Sequence, residues 1–388
     1  MAEPAARLAE RPAARFARAI EKPAFGIHVV PGAAAGDIVG RWAALADRAV
    51  GDNVFFHPDF AIPAMRHLAP DAALGVVHDL EGKIAALAPF THTRLGRVAP
   101  AVRLWAHDYG PLGLPLVDRA AIAPAVATLL DGLAPVLGGQ SFIAPDMPTD
   151  SPVAKALAEA ARLRERPVDI LDSHVRATLD RADPAMADPA KGLAPRRRKE
   201  YARLMRRLAE VGEVKLVASI ASQEVIARFE QFLDLEASGW KGHRGSALAS
   251  SAATRDFARA VVAARAAAGH ARIDSIDLGG KPIAMLVSFA AGATAWTWKI
   301  AYDETWSRFS PGVQLMLAVP RQIFSDPTIR SIDSCAAADH PMVDHIWSGR
   351  MAVGTIVIGP PGGSTAHRIG LAAARAELAA RATIRRFI

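Results

Sequence analysis

Between Glu213 and Gly359 the apolar residues change their period several times, and each change marks an element. "EVKLVASI" alternates at period two from Val214 and predicts a strand. "SQEVIARFEQFLDLEASGW" then switches to helical spacing. Val225, Phe229, Phe232, Leu233 and Glu236 form its stripe, and Ser222 stands where an N-cap would. "TRDFARAVVAARAAAG" predicts a second helix, stopped by Gly269. A meander follows: strand "ARIDSIDL", a Gly279-Gly280 turn, strand "KPIAMLVSF", the turn "AAGA" and strand "TAWTWKIAY". In the last of these, Trp296, Trp298 and Ile300 fall on one face and Lys299 on the other. A helix from Pro311, a strand "IRSIDSC", a short helix "PMVDHIWSGRMA" and a last strand "GTIVIG" complete the order β, α, α, β, β, β, α, β, α, β.

The first half repeats part of this pattern. "GDIVGRWAALADRAV" and "HPDFAIPAMRHL" predict two helices, the first with a Trp. "ALGVVHDLEGKIAALAPF" then parallels "ARIDSIDLGGKPIAMLVSF", with Asp79-Leu80-Glu81-Gly82-Lys83 set against Asp277-Leu278-Gly279-Gly280-Lys281. Helix, Trp, second helix and meander recur in the same order, which predicts two copies of one fold. The expected division is a flexible tail over 1–24, a first domain over 25–178, a linker or surface loop over 179–195 and a second domain over 196–388. "DRADPAMADPAKGLAP" supplies the linker signal. "STAHRIGLAAARAELAARATIRRFI" predicts a basic amphipathic helix docked at the end.

Composition narrows the function classes. Of 388 residues, 51% are hydrophobic, enough for a large core in two domains. The net charge of +7 suits an anionic partner such as a nucleotide, nucleic acid or an acidic surface. The single cysteine, Cys335, excludes a disulfide within the chain and any cysteine-cluster metal site. His340 and His345 lie five apart, whereas helical metal ligands sit three or four apart, so no metal is expected. "MAEPAARLAERPAARFARAIEKP" lacks the apolar core of a signal peptide. "PIAMLVSFAAGATAWTW" falls short of the ~20 apolar residues of a span and alternates in its second half, which is hairpin behaviour. A soluble, cytoplasmic protein without a transmembrane segment is expected.

"SRFSPGVQLMLAVPRQIF" carries the clearest chemistry. Pro311 and Gly312 open a helix, and such an N-terminus offers free N–H groups and a partial positive charge. It reads either as a phosphate cradle or as an ordinary capped helix. "RRRKEYARLMRR" sets Lys199, Arg203, Arg206 and Arg207 on one helix face, either a solvated face or a contact to an anion. Only Tyr201 interleaves with the basic residues, so the stretch does not look like a dedicated nucleic-acid module.

These segments resemble a known family. The order of the second half is similar to the GNAT acyltransferase fold, and "RRRKEYARLMRRLAEVGEV", "GGKPIAMLVSF", "WKIAYDETWSRFSPGVQL" and "IDSCAAADHPMVDHIW" resemble its double-GNAT branch. That branch holds FemAB-type aminoacyltransferases and CelD/BioF-type acetyltransferases named after cellulose-biosynthesis clusters. The resemblance implies an α/β (α+β) chain of two tandem GNAT-like domains, each a mixed, largely antiparallel sheet flanked by helices. It implies acyl transfer to an amine without a metal, from acetyl-CoA, another acyl-CoA or aminoacyl-tRNA. The acceptor it implies is a small-molecule, glycan or peptide amine, with a link to cell-envelope or polysaccharide biosynthesis. A non-catalytic scaffold that keeps the fold is the other outcome. The usual Arg/Gln-x-x-Gly-x-Gly/Ala loop is replaced here by Arg308-Phe309-Ser310-Pro311-Gly312, which leaves the donor open.

Taken with the resemblance, Lys299, Arg308, Ser310, Pro311, Gly312, Val313 and Gln314 are the expected donor-binding residues. Tyr302 is the expected acid for a leaving thiolate, since phenol and thiol both have high pKa values. His340 is its rival, because imidazole titrates near neutral pH. Asp303, Glu304 and Asp333 are the candidate carboxylates for the acceptor's proton. Trp240 and Lys241, with Lys199 and Arg203, would face the acceptor or other anionic groups. The first half has no Ser-Pro-Gly after its meander and is expected to lack a cradle.

Overall fold

The computed structural model describes residues 24–136 and 141–385. The expected tail over 1–24 therefore lies outside them, Ala24 excepted. In the first half, β1 (Phe25–Pro31) leads through a 3-10 segment to α1 (Val39–Ala46), α2 (Pro58–Leu68) and the meander β2 (Ala73–Asp79), β3 (Ile84–Leu95) and β4 (Ala99–Leu104). Then come β5 (Leu116–Val117), α3 (Ile122–Val136), β6 (Ser141–Pro148), α4 (Pro152–Arg162) and β7 (Val168–Asp180). Two single turns, α5 (Pro184–Ala187) and α6 (Pro189–Gly192), precede α7 (Pro195–Ala209). The second half continues with β8 (Val214–Ser219), α8 (Ser222–Ser238), α9 (Trp240–His243), α10 (Ala252–Ala267), β9 (Ala271–Leu278), β10 (Lys281–Ala291) and β11 (Thr294–Tyr302). It closes with α11 (Pro311–Ile323), β12 (Ser331–Asp333), β13 (Gly349–Ile358) and α12 (Thr365–Arg385).

The two halves share one topology: strand, two helical segments, an antiparallel three-stranded meander, and a parallel strand reached through a helix. The parallel pairs are β4 with β6 and β11 with β12. Both halves contribute to a single sheet in the order β1-β2-β3-β4-β6-β13-β7-β12-β11-β10-β9-β8, with β5 beside β3. The last strand of each half is exchanged. β7 pairs with β12 of the second half, β13 pairs with β6 of the first, and β7 and β13 lie antiparallel. Residues 178 and 179, where a domain boundary is expected, are both inside β7.

Burial follows the apolar stripes. Trp42 and the stripe Val225, Phe229, Phe232 and Leu233 are buried in one large cluster that also takes in Trp296 and Trp298. A second cluster packs α11 on the other side of the second half's strands, around Leu286, Leu315, Val319 and Ile332.

Four local expectations need correction. "PMVDHIWSGRMA" is not a helix but a series of turns over 341–346 that leads into β13. His340 Nδ1 accepts the N–H groups of Met342 and Val343, and the Arg350 guanidinium binds the carbonyls of Asp344 and Trp347, so side chains satisfy the backbone locally. The last strand starts at Gly349, where a Cβ would stand 2.4 Å from Thr178 O, so only glycine permits that pairing. Ser222 is the first helical residue and not the cap; Ala221 precedes it without a side-chain bond. Finally, a β-bulge opposite Val287 and Ser288 breaks the alternation of β11 at Trp298. Ile300 therefore joins Tyr302 against the second cluster, and Lys299 stays on the side of Trp298.

Candidate active site

The site forms where β11 and β12 part. They pair only over Thr294–Trp296 and Ser331–Asp333, and β11 then runs on to Tyr302 bonded to β10 alone. The chain bends away after β12 because Asp333 Oδ1 accepts the N–H of Cys335 at 2.8 Å, and Cys335 takes a left-handed conformation at φ 55°. The result is an open strand edge beside the mouth of α11.

That mouth leaves backbone donors unpaired. Ser310 is left-handed (φ 52°, ψ 50°), an uncommon state for a side-chain-bearing residue, and no side chain caps the helix. Pro311 has no N–H, and the first helical bond is Gln314 N–H to Ser310 O at 3.0 Å. The N–H groups of Gly312 and Val313 thus have no helical partner. Gly312 packs closely: a Cβ there would lie 3.1 Å from Met342 Cε and 3.3 Å from Tyr302 Cδ1. Gln314 is turned away from the mouth, its amide donating to Tyr201 O at 2.8 Å. This bond seats α7 beside the mouth. Arg308 is exposed, with its guanidinium 4.8 Å from the Phe309 ring centre.

A cleft of about 350 Å³ opens next to this mouth, lined by Leu235, Glu236, Trp240, Lys241, Ile300, Ala301, Tyr302, His340 and Met342 among others. Tyr302 reaches it with a hydroxyl that makes no hydrogen bond to the described residues. His340 lies opposite. Its Nδ1 accepts backbone N–H groups, so the neutral ring carries its proton on Nε2. Burial, with a smaller contribution from Lys241, holds its pKa below the usual histidine value, while Asp344 acts against this. Lys241 Nζ binds Ile300 O at 2.8 Å and Glu236 Oε1 at 2.8 Å. Glu236, 3% exposed, accepts the Leu248 N–H with its other oxygen. Trp240 stands at the rim, 45% exposed, with Arg244 over its ring and its backbone N–H donated to Glu304 Oε1.

The three carboxylates expected from the sequence are engaged elsewhere. Asp303 caps the 3-10 turn through Thr305 N–H and Oγ1. Glu304 holds Trp240 from outside the lining, and Asp333 bonds Cys335 N–H and faces Arg176. Lys299 lies above the Tyr109 ring, 4.7 Å from its centre, and burial lowers its pKa, helped by Lys241. Tyr109 O in turn accepts Trp298 Nε1–H at 2.7 Å, so a first-half loop walls the second half's strand. On α7, Lys199 is exposed and unpaired, whereas Arg203 is tied to Glu200. Two contributors went unnoticed in the sequence. Glu236 carried a signal, an acid on an apolar stripe; Tyr109, far away in the chain, carried none.

Among the described residues, no three His, Cys, Asp or Glu side chains cluster to hold a metal, and no helix is long and apolar enough to cross a membrane.

The strand order, the parted strands and the open helix mouth define a GNAT-like acyltransferase fold present in two copies. Residues 195–340 match the family model described as an acetyltransferase (GNAT) domain, so the second half carries a GNAT domain. No curated protein matches the chain. Among solved structures, a conserved protein of unknown function from Bacteroides thetaiotaomicron is similar at 10% identity and TM-score 0.55, over 84% of this chain and 97% of that one. The C-terminal domain of a putative lysylphosphatidylglycerol synthetase from Agrobacterium fabrum is similar at 11% identity and TM-score 0.55, over 88% and 96%. FemX is similar at 10% identity and TM-score 0.54, over 84% and 96%. At these identities the likeness is one of fold.

Proposed function

We propose that the chain is an N-acyltransferase that moves an acyl group, acetyl in the simplest case, from acyl-CoA to an amine. The observation that carries this is the meeting of β11's open edge with the uncapped mouth of α11. The N–H groups of Gly312 and Val313, with Ser310, would hold the pyrophosphate, and Arg308 would add a charge-assisted contact. The thioester would lie along β11 toward Tyr302. The acceptor nitrogen forms its bond to the acyl carbon as the carbon–sulfur bond breaks. Tyr302 gives its proton to the departing sulfur, and His340 Nε2–H is the other donor within the cleft. Glu236, the buried carboxylate of the lining, holds Lys241 on the strand edge and takes up the amine's proton. Positioning and polarisation supply the rest. The first half acts as a wall, through Tyr109, and not as a second catalyst.

The resemblance to CelD/BioF-type proteins supports an acceptor from cell-envelope or polysaccharide synthesis, and a cytoplasmic setting where acyl-CoA is available. The basic face of α7, with Arg196, Arg198, Lys199, Arg206 and Arg207 exposed beside the mouth, favours a larger anionic donor as second reading, aminoacyl-tRNA. One screen separates them: acetyl-CoA, longer acyl-CoAs and aminoacyl-tRNA are each offered with amino-sugar and peptide amines, and product mass is read. CoA-dependent acylation that Glu236→Gln strongly slows is expected. Turnover from charged tRNA alone would replace the donor, and no product from any donor would leave a scaffold.

A further inference from the structure

The first half lacks a Pro-Gly helix mouth, yet its strands form a polar cleft together with β13 and α12. The cleft measures about 250 Å³ and lies between the β3–β4 turn, the β4 and β6 strands, and α12. Four arginines line it, Arg94, Arg97, Arg103 and Arg381, against two carboxylates, Glu377 and Asp172. Glu377 is already neutralised, bound by Arg97 at 3.1 Å and Arg381 at 2.8 Å. Arg94 donates to Val98 O. Arg103, on β4, differs from all of these. It is half-buried, and its guanidinium makes no hydrogen bond and no ion pair with the described residues. Burial lowers its pKa, with Asp146 only partly opposing. Its nitrogens are not among the buried unpartnered atoms, so they keep contact with solvent and are free to meet an acceptor that enters the cleft.

The walls are fixed. A Cβ on Gly96 would stand 2.1 Å from Gly370 O, and one on Gly370 2.7 Å from Leu95 O. These two glycines let α12 touch the β3–β4 turn directly, which sets Glu377 and Arg381 over the strands. Leu371 and Leu378 seal the apolar side against Ile143 and Val357. The cavity is smaller than the ~300–1,000 Å³ of sites for drug-sized ligands, so it suits a head group.

We propose that this cleft binds a phosphate or diphosphate group, held by Arg103 at its floor and by Arg94 and Arg381 at its rim. The site is shared between strands of the first half and β13 and α12 of the second, and is independent of the acyl-transfer reading. Planar guanidinium forks match phosphate oxygens, and this supports phosphate over a halide. The phosphate belongs either to a soluble ester or to a lipid head group.

Calorimetry with pyrophosphate at low ionic strength tests this. Gly312→Asp blocks the α11 mouth, so binding that survives in that variant reports the arginine-lined cleft. Adding Arg103→Gln should weaken it at least about tenfold, as expected for losing charge-assisted bonds. Arg381→Gln changes a surface side chain, keeps the fold, and should weaken it several-fold. Co-sedimentation with phosphatidylglycerol vesicles that depends on Arg103 identifies a lipid source. Pyrophosphate binding without co-sedimentation identifies a soluble one. The proposal is overturned if no binding survives Gly312→Asp, or if Arg103→Gln and Arg381→Gln both leave affinity within twofold. Should Arg103→Gln fail to fold, Arg381→Gln decides alone.

Discussion

Gly312→Asp puts the donor site under the sharpest test. The new Cβ would meet Met342 Cε at 3.1 Å and Tyr302 Cδ1 at 3.3 Å. Crowding of this kind costs ~1–3 kcal/mol, and the flexible methionine end can yield, which keeps the cost near the lower figure. A carboxylate in the first turn also gains about 0.3–1 kcal/mol from the helix dipole, so the variant should fold. Binding fares differently. Two unit charges 4 Å apart repel by ~1 kcal/mol in water and ~4 kcal/mol at an effective dielectric of 20. The mouth is partly open, and at about 1.4 kcal/mol per tenfold a loss of ~10–100-fold in CoA affinity follows. Gly312→Ala adds the crowding without the charge and should lose much less. Calorimetry with CoA on both variants, each checked by thermal unfolding, provides the numbers. A folded Gly312→Asp protein that binds CoA as wild type does would remove the helix mouth from the account.

Acid chemistry separates by variant: Tyr302→Phe should cut kcat by ~10²–10⁴-fold while CoA affinity stays within a few-fold, and His340→Gln should be milder. Near-normal kcat in both would mean that solvent protonates the thiolate. Stability should fall in acid through His57 and His107, whose pKa values burial lowers from 6.5 to about 4. Between those values the unfolded chain binds more protons than the folded one, so the contribution is complete above pH 6.5 and is lost as pH falls toward 4. Each group is worth at most roughly 3 kcal/mol, and His107→Gln should flatten the profile of unfolding free energy between pH 6.5 and 4; an unchanged profile would exclude His107 as a source.

Elements were legible where a periodic stripe is self-contained. Val225, Phe229, Phe232 and Leu233 announced α8, because burial of one face imposes the period directly, and the unbroken apolar run of "KPIAMLVSF" between turn signals announced β10, a strand buried on both faces. The helix mouth was legible too, since Pro311 and Gly312 act on their own backbone. The stretch after β12 misled because it holds enough apolar residues for a helix, while His340 and Arg350 divert its hydrogen bonds into turns. Periodicity records where a side chain points, not which polar group captures the backbone.

The site was legible only in part for a related reason. The alternation of β11 is reset by a bulge whose cause lies in the register with β10, two strands' worth of pairing that no single stretch encodes. The bulge keeps Lys299 on the Trp298 side, where Tyr109 from the other half lies beneath it. Exchange of β7 and β13 has the same character. Each strand looks like an ordinary closing strand of its own half, and its partner is chosen by the whole sheet. A domain boundary drawn at 178 from composition therefore cuts a strand that the second half needs beside β12. The exchanged strands bind the halves into one sheet, which holds the Tyr109 loop against Trp298 and Lys299 on β11, the strand whose far end borders the cleft.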